Sequence, residues 1–226
     1  METKVIANHK NLFNKILKNK KKYNTEIDGF EIEVFLTKDK YCVIDQKKEV
    51  DIAEINQNNL QDLYNMQDNS IYLLDDVLDI AEDYNEVLIK VNNDPEYPFL
   101  EKNIIDIVKE KELQNKAVLT SFKKHILEKF NDLTDEIKIA LGFNAGLYKP
   151  WEKAAKLGAE AIYTYYGGVV PSVVDKCKKT GLDLYIYGAN VNQVIKKFMK
   201  FGVKGIITGN LETAISIKNK IKGEKR

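Results

Sequence analysis

Cysteine, histidine and long apolar runs are scarce in this sequence, and each shortage excludes a class of protein. The two cysteines, Cys42 and Cys177, lie far apart and show no paired spacing, so we expect no zinc or redox motif. Two histidines, His9 and His125, are too few for a histidine-rich metal centre. We find neither a signal peptide nor an apolar segment of membrane-spanning length. The sequence therefore predicts a cytoplasmic protein without a membrane span.

The chain also lacks an excess of charge of either sign. It contains 35 basic and 34 acidic residues, and this balance does not favour a nucleic-acid partner. The lysine-rich run at residues 18–22 is typical of the solvated end of a helix, and contact with an anionic surface is the alternative.

What the sequence does contain is a regular alternation of short apolar segments with amphipathic ones. Glycine follows three of the predicted helices, at Gly158, Gly181 and Gly202, as a left-handed helix cap requires. The helical spacing predicts helices near residues 12–17, 73–81, 99–108, 125–130, 151–157, 170–178, 194–201 and 211–221. The apolar segments predict strands at residues 5–7, 30–36, 87–91, 117–120, 137–141, 161–165, 184–187 and 205–208.

Eight such strands, each followed by a helix, predict an α/β protein with a parallel sheet that is covered by helices. We expect residues 1–226 to form a single (β/α)8 TIM-type barrel, whose functional site lies at the carboxyl ends of the strands. A doubly wound open sheet is the alternative, but no glycine-rich dinucleotide loop follows the first strand. Residues 41–44 predict a short return strand outside the barrel, and the polar stretch 51–68 predicts an excursion rather than core.

Two glutamates on the second predicted strand are the principal candidates for function. Glu31 and Glu33 are two residues apart, so their side chains project from the same face of the strand. Two buried like charges are costly unless a cation lies between them. They indicate either a ligand-binding site or a structural ion pair in the mouth of the barrel.

The segment that carries these glutamates also resembles a known family. Residues 31–39, Glu-Ile-Glu-Val-Phe-Leu-Thr-Lys-Asp, resemble the Glu-x-Asp-Val-x-Leu-Thr-Lys-Asp segment of glycerophosphodiester phosphodiesterases. Five further segments resemble family segments in the same order, at residues 5–10, 71–78, 120–122, 187–190 and 202–209. The resemblance implies a barrel that hydrolyses glycerophosphodiesters in lipid metabolism. It also implies Ca²⁺ or Mg²⁺ held by carboxylates and two histidines that act as general acid and base.

The residues at the implied metal-binding positions depart from the family pattern. Glu31 matches the first carboxylate ligand, and Glu33 stands where the family has aspartate. The third carboxylate is replaced by Lys90, and Asn92 takes the place of the family's lysine. An ammonium repels the ion that this position should bind. We therefore predict that Lys90 lies between the two glutamates as an internal cation.

The implied catalytic histidines are also replaced. Asn8 aligns with the first histidine and His9 with the following arginine, although a one-residue insertion would restore His9 to the catalytic position. Gln46 aligns with the second histidine. If His9 is not catalytic, we expect it on the surface, and we expect His125 to be solvated. Asparagine and glutamine form hydrogen bonds but do not carry protons near neutral pH.

These replacements predict a catalytically degenerate barrel, a pseudoenzyme without a cofactor. It would bind a small phosphorylated or polar ligand, or a protein partner. The loop at residues 208–210 is a candidate phosphate site, although an ordinary turn has the same sequence. The alternative is an active Ca²⁺- or Mg²⁺-dependent phosphoric diester hydrolase that works through His9, Glu31 and Glu33. The candidate ligand-binding residues are Glu31, Glu33, Lys90, Asn92 and Tyr187.

Overall fold

Eight parallel strands form a closed barrel surrounded by helices. The structure, a computed structural model, describes residues 2–16, 26–47, 51–66, 70–92, 99–144 and 148–224. The strands are β1 (Lys4–Ala7), β2 (Gly29–Glu33), β3 (Phe35–Leu36), β4 (Cys42–Asp45), β5 (Ile71–Leu73), β6 (Glu86–Lys90), β7 (Ala117–Ser121), β8 (Lys138–Phe143), β9 (Ala161–Tyr165), β10 (Asp183–Tyr187) and β11 (Gly205–Thr208). Around the barrel the order is β1, β2, β6, β7, β8, β9, β10 and β11, which pairs again with β1.

Helices connect successive barrel strands and cover the outside of the sheet. Within the described ranges, no helix combines the length and the apolar character that a membrane crossing requires. The α-helices are α1 (His9–Asn11), α2 (Ile52–Gln57), α3 (Leu60–Met66), α4 (Leu74–Leu78), α5 (Leu100–Glu110), α6 (Lys124–Leu133), α7 (Pro150–Lys156), α8 (Pro171–Lys179), α9 (Asn192–Phe201) and α10 (Leu211–Gly223). A π-helical turn follows α1 (Leu12–Ile16), and short 3-10 helices follow α4 (Asp79–Asp83) and β9 (Tyr166–Gly168).

The predicted (β/α)8 barrel is confirmed, and the alternative of an open sheet is wrong. The predicted strand at residues 30–36 is wrong in extent, because the chain leaves the barrel after Glu33. The Val34 N–H still donates to the Lys90 carbonyl at 3.0 Å, but Phe35 pairs with Val43 in an antiparallel sheet. The lysine-rich run at residues 18–22, which is predicted to be the solvated end of a helix, lies outside the described residues.

The excursion between β2 and β6 contains a small core of its own. Strands β3, β4 and β5 form a three-stranded antiparallel sheet, and α2 and α3 contribute buried side chains to it. The predicted return strand at residues 41–44 is present as β4. The expectation that residues 51–68 contribute no core is wrong for the described part, because Ile55 and Leu63 are fully buried. Among the side chains that the structure describes, Ile55 in α2 and Leu63 in α3 are the buried apolar residues, and the polar composition of the stretch hides this signal.

A glycine allows β2 to approach β6 closely enough to organise the site. A Cβ atom at Gly29 would lie 1.9 Å from the carbonyl oxygen of Glu86, well inside van der Waals contact. Gly29 pairs with Glu86 at the start of the two strands, and Glu33 pairs with Lys90 at their ends. The close approach therefore places the candidate side chains of β2 beside those of β6.

A buried polar cluster lies at the opposite end of the barrel from the candidate site. The Tyr185 hydroxyl donates to Glu86 Oε1 at 2.7 Å, and Lys4 Nζ lies 3.1 Å from the same oxygen. Glu86 Oε2 is buried and accepts no hydrogen bond from the described residues. Burial raises the pKa of Tyr185, and the Glu86 charge raises it further, so this hydroxyl stays protonated and donates.

We expect Tyr185→Phe to lower the free energy of unfolding by about 1–3 kcal/mol, because a buried carboxylate loses one of its two partners. Chemical denaturation measures this loss. The matched control is Tyr148→Phe, since Tyr148 is 77% exposed. The control should stay within about 0.5 kcal/mol of wild type. Equal stability of the two variants would contradict a role for the Tyr185–Glu86 hydrogen bond.

Candidate functional site

A cavity of about 350 Å³ opens at the carboxyl ends of the barrel strands. Glu31 and Lys90 supply the ionisable carboxylate and ammonium groups of its lining, and Tyr163 and Tyr187 supply hydroxyls. Asn8, Asn144 and Asn190 also line it, each directly after or close to a barrel strand. The cavity lies where barrels of this architecture place their functional groups.

Lys90 forms an ion pair with Glu33 across two adjacent strands. The residues are direct partners in the register of β2 and β6, and Lys90 Nζ lies 3.0 Å from Glu33 Oε2. Only 15% of the lysine side chain and 13% of the glutamate side chain are exposed. Half of the predicted arrangement is therefore present: Lys90 pairs with Glu33, while the described residues show no ion pair between Lys90 and Glu31.

Asn92 fixes the other oxygen of the same carboxylate. Its Nδ2 donates to Glu33 Oε1 at 3.1 Å, and its Oδ1 accepts from the backbone N–H of Phe122 at 3.2 Å. Asn92 thus connects Glu33 to the loop that follows β7. This geometry gives Asn92 a role in positioning the Glu33 carboxylate. Its contact with a ligand stays a prediction.

Glu31 has a different partner, the hydroxyl of Tyr163 on β9. Glu31 is 7% exposed, and the Tyr163 hydroxyl donates to Glu31 Oε2 across the barrel. Burial raises the pKa of Tyr163 well above its ordinary value, and the Glu31 charge raises it further. The hydroxyl therefore stays protonated and holds the carboxylate in place.

Lys90 carries a full positive charge at neutral pH. Burial alone would lower the pKa of the ammonium, but the charges of Glu33 and Glu31 outweigh burial and raise it above its ordinary value. Both glutamates thus act on Lys90, although Glu33 is its direct ion-pair partner.

These two raised pKa values predict how stability depends on alkaline pH. The unfolded chain loses the Tyr163 and Lys90 protons from about pH 10.0 and 10.5, while the folded protein retains them. Stability is therefore complete below these values and falls as the pH rises above them, by about 1.4 kcal/mol per pH unit for each retained proton. Denaturant unfolding measured between about pH 8 and pH 11 should show a shallower fall in Tyr163→Phe than in wild type. Identical slopes would contradict this assignment.

Of the three candidate catalytic residues, Asn8, His9 and Gln46, the described cavity lining includes Asn8. Asn8 lines the cavity and caps α1, because its Oδ1 accepts from the Asn11 N–H at 3.1 Å. His9 is 4% exposed, and its Nε2 lies 2.7 Å from the carbonyl oxygen of Asp45. The predicted surface location of His9 is therefore wrong, because the excursion sheet covers this side chain.

Gln46 and His125 also lie away from the cavity lining. Gln46 follows β4 in a bend, where its N–H donates to the Ser70 carbonyl at 2.8 Å. The expectation that His125 is solvated holds only in part, because the residue is half-buried and its Nε2 is buried with no hydrogen-bond partner among the described residues. Of the histidine-equivalent positions, the structure brings Asn8 to the cavity.

Sequence reasoning missed several residues of the lining. Tyr163 reaches the cavity because alternate residues of a barrel strand point inward, and Phe122 and Asn144 reach it from positions directly after β7 and β8. Tyr187, a predicted ligand-binding residue, does line the cavity, and its ring stacks on Tyr163 at 4.8 Å between centroids. Tyr165 lies on the rim and is 38% exposed.

The loop at residues 208–210 uses its backbone donor internally. The Gly209 N–H donates to Asn190 Oδ1 at 2.7 Å, and the Thr208 hydroxyl donates to the same oxygen at 3.1 Å. The Asn190 side chain thus stabilises the turn. The Gly209 N–H already donates a hydrogen bond within the protein, so it does not serve as a donor to a phosphate.

The donor set of the mouth does not fit a divalent cation. Ca²⁺ and Mg²⁺ require several oxygen ligands, usually including carboxylates. Across the described ranges, no three histidine, cysteine, aspartate or glutamate side chains are grouped so that they could hold a metal ion. Glu33 is already paired with the Lys90 ammonium, and Glu31 accepts a hydrogen bond from the Tyr163 hydroxyl.

Comparison with known proteins relates this chain to one family of phosphodiesterases. The profile of the glycerophosphoryl diester phosphodiesterase family matches residues 20–213. A protein of Caldanaerobacter subterraneus subsp. tengcongensis named glycerophosphodiester phosphodiesterase is 26% identical over 212 residues, which cover 85% of this chain and 86% of that protein.

Solved structures share the fold at lower identity. A glycerophosphodiester phosphodiesterase from Parabacteroides distasonis superposes with a TM-score of 0.84 at 20% identity and covers 98% of each chain. A phosphodiesterase from Oleispira antarctica, solved in complex with the product sn-glycerol-3-phosphate, superposes with a TM-score of 0.78 at 16% identity. That superposition covers 96% of this chain and 97% of the other.

Proposed function

This chain belongs to the glycerophosphoryl diester phosphodiesterase family, and on that premise we propose that its barrel mouth binds a small polar or phosphorylated ligand without hydrolysing it. One observation carries the proposal. Lys90, which stands where the family resemblance implies a carboxylate ligand, lies 3.0 Å from Glu33. This ion pair supports the proposal that a cation supplied by the chain substitutes for the metal ion that the resemblance implies.

Charge balance explains how the barrel tolerates this replacement. Three carboxylates with one divalent ion carry about one net negative charge, and so do two carboxylates with one ammonium. Lys90 therefore maintains the charge of the mouth. Because removing one partner of a buried ion pair leaves the other uncompensated, Lys90 also keeps the two glutamates compatible with burial.

The groups at the histidine-equivalent positions support binding rather than proton transfer. The Asn8 amide donates and accepts hydrogen bonds but has no proton to exchange near neutral pH. His9 has its Nε2 at the Asp45 carbonyl, and the described cavity lining does not include it. A mouth with these groups can orient a ligand, but it has no acid–base pair for hydrolysis.

The cavity volume favours a small ligand. At about 350 Å³ it lies near the lower end of the range for small-molecule sites, roughly 300–1,000 Å³. Its lining combines amides, hydroxyls and one ammonium with the aromatic rings of Phe122, Tyr163 and Tyr187, the mixture of apolar wall and few polar groups that is typical of such sites.

The proposal is tested by incubating purified protein with glycerophosphocholine and Ca²⁺ or Mg²⁺ while release of glycerol phosphate is measured. We expect no turnover above trace level. Metal-dependent turnover that His9→Ala abolishes would instead support the alternative of an active phosphoric diester hydrolase that works through His9, Glu31 and Glu33.

A further inference from the structure

The amides of the mouth present their donors to the ligand. Asn8 Oδ1 accepts from Asn11, Asn144 Oδ1 accepts from the Tyr187 hydroxyl, and Asn190 Oδ1 accepts from the loop at Gly209. In the part of the chain that the structure describes, none of the three Nδ2 groups donates a hydrogen bond. Each amide is thus oriented by its oxygen, and three NH₂ donors remain for a ligand.

The floor of the cavity carries an acceptor of strong hydrogen bonds. Glu31 lines the cavity, is 7% exposed and accepts from the Tyr163 hydroxyl. It forms no other hydrogen bond or ion pair with the described residues. A carboxylate has about four acceptor positions, so most of the capacity of Glu31 is unused. Because an unsatisfied buried carboxylate is costly, a ligand that binds beside Glu31 should supply hydroxyl donors to it.

The charges in the mouth disfavour an anionic ligand. Lys90 is the ammonium in the described lining, and it already pairs with Glu33 at 3.0 Å. A phosphate group would bring negative charge close to Glu31 in a site of low exposure, where like charges repel strongly. The lining therefore favours a molecule that is neutral and rich in hydroxyls, since each hydroxyl both donates and accepts.

The aromatic wall favours the same chemistry. Phe122 lies edge-on to Tyr163 and Tyr187, at 5.8 and 6.2 Å between ring centroids. Aromatic surfaces bury apolar C–H groups, and their negative faces attract the positive edge of such groups. A ligand ring with C–H groups on its faces and hydroxyls at its edge can pack against these aromatic side chains and also form hydrogen bonds with the polar groups of the cavity.

We infer that the mouth binds an uncharged polyhydroxylated ligand of the sugar or cyclitol class, with hydroxyls on Glu31 and the three asparagine amides. This inference rests on the proposed non-hydrolytic binding function and narrows its ligand from polar or phosphorylated molecules to neutral polyols.

The test is calorimetric titration of the full chain at neutral pH with myo-inositol, glucose and glycerol, beside inorganic phosphate and glycerol 3-phosphate. We expect at least one polyol to bind more tightly than either phosphate compound. Glu31→Gln, which retains an oxygen for Tyr163 and removes the charge, should weaken polyol binding about tenfold or more. Asn8→Asp, which preserves the helix cap and removes one NH₂ donor, should weaken it as well. Glu128→Gln is the surface control and should leave binding unchanged.

Two results would overturn the inference: tighter binding of phosphate or glycerol 3-phosphate than of every polyol, or no polyol binding up to about 50 mM. Melting curves of Glu31→Gln and Asn8→Asp separate loss of binding from loss of fold. Hydrolysis of glycerophosphocholine by the wild type would overturn the proposed function instead, so the two failures are distinguishable.

Discussion

Glycerophosphocholine supplied with millimolar Ca²⁺ or Mg²⁺ is expected to remain uncleaved by the wild-type protein, apart from trace turnover. General acid and base groups contribute roughly 10²–10⁴-fold each to the rate, and asparagine and glutamine stand at both positions. Groups that act together are not additive, so we expect a deficit of at least about 10²–10⁴-fold relative to a family member with both histidines. Release of glycerol phosphate, followed over hours at high protein concentration, measures it.

The comparison of wild type with His9→Ala identifies the source of any residual activity. Since His9 is buried beside the Asp45 carbonyl, its loss should leave a trace rate unchanged. A rate within tenfold of an active relative, abolished in His9→Ala, would show that His9 has the catalytic role and that the barrel is not degenerate.

The second large effect is expected from charge reversal at Lys90. Lys90→Glu replaces the cation that pairs with Glu33 by a third carboxylate in a mouth that already contains Glu31 and Glu33. Disrupting a buried ion pair costs about 3–5 kcal/mol. At this chain length the loss corresponds to a fall in melting temperature of roughly 6–20 °C. Thermal unfolding without added metal measures this fall.

Two further variants separate the ion pair from general effects of charge. Lys90→Met leaves Glu33 uncompensated without adding a charge, so it should destabilise less than Lys90→Glu. Lys124→Glu reverses a lysine whose side chain is 71% exposed and which pairs with Glu128 on the same helix. That variant should lose no more than about 1 kcal/mol. Equal melting temperatures for Lys90→Glu and Lys124→Glu would show that water screens the Lys90–Glu33 ion pair too strongly for it to contribute to stability.

The barrel was predictable because its signals are local and repeated. Each strand is a short apolar run, and glycine ends several of the helices, as at Gly202, where φ is +64°. The excursion was harder, because its core depends on single residues such as Ile55 and Leu63 within polar helices. No periodicity is visible in segments of six or seven residues.

The candidate site was predictable where it depends on pairing between neighbouring strands. Glu33 and Lys90 occupy equivalent positions at the ends of adjacent strands, and their ion pair follows from the register. The Tyr163–Glu31 hydrogen bond spans the barrel between strands that are not neighbours, so sequence distance and strand order gave no signal for it. The burial of His9 depends likewise on the excursion sheet, whose position the sequence does not specify.

Metal binding by wild type and by Lys90→Glu tests the central claim that Lys90 provides the cation of the mouth. Calorimetric titration of each protein with Ca²⁺ and Mg²⁺ is the measurement, with Lys90→Met as the neutral control. We expect no binding by wild type or Lys90→Met, and stoichiometric binding by Lys90→Glu, whose three carboxylates supply the hard oxygen ligands that these ions require. Stoichiometric binding of Ca²⁺ or Mg²⁺ by the wild type, lost in Glu31→Gln, would contradict the claim.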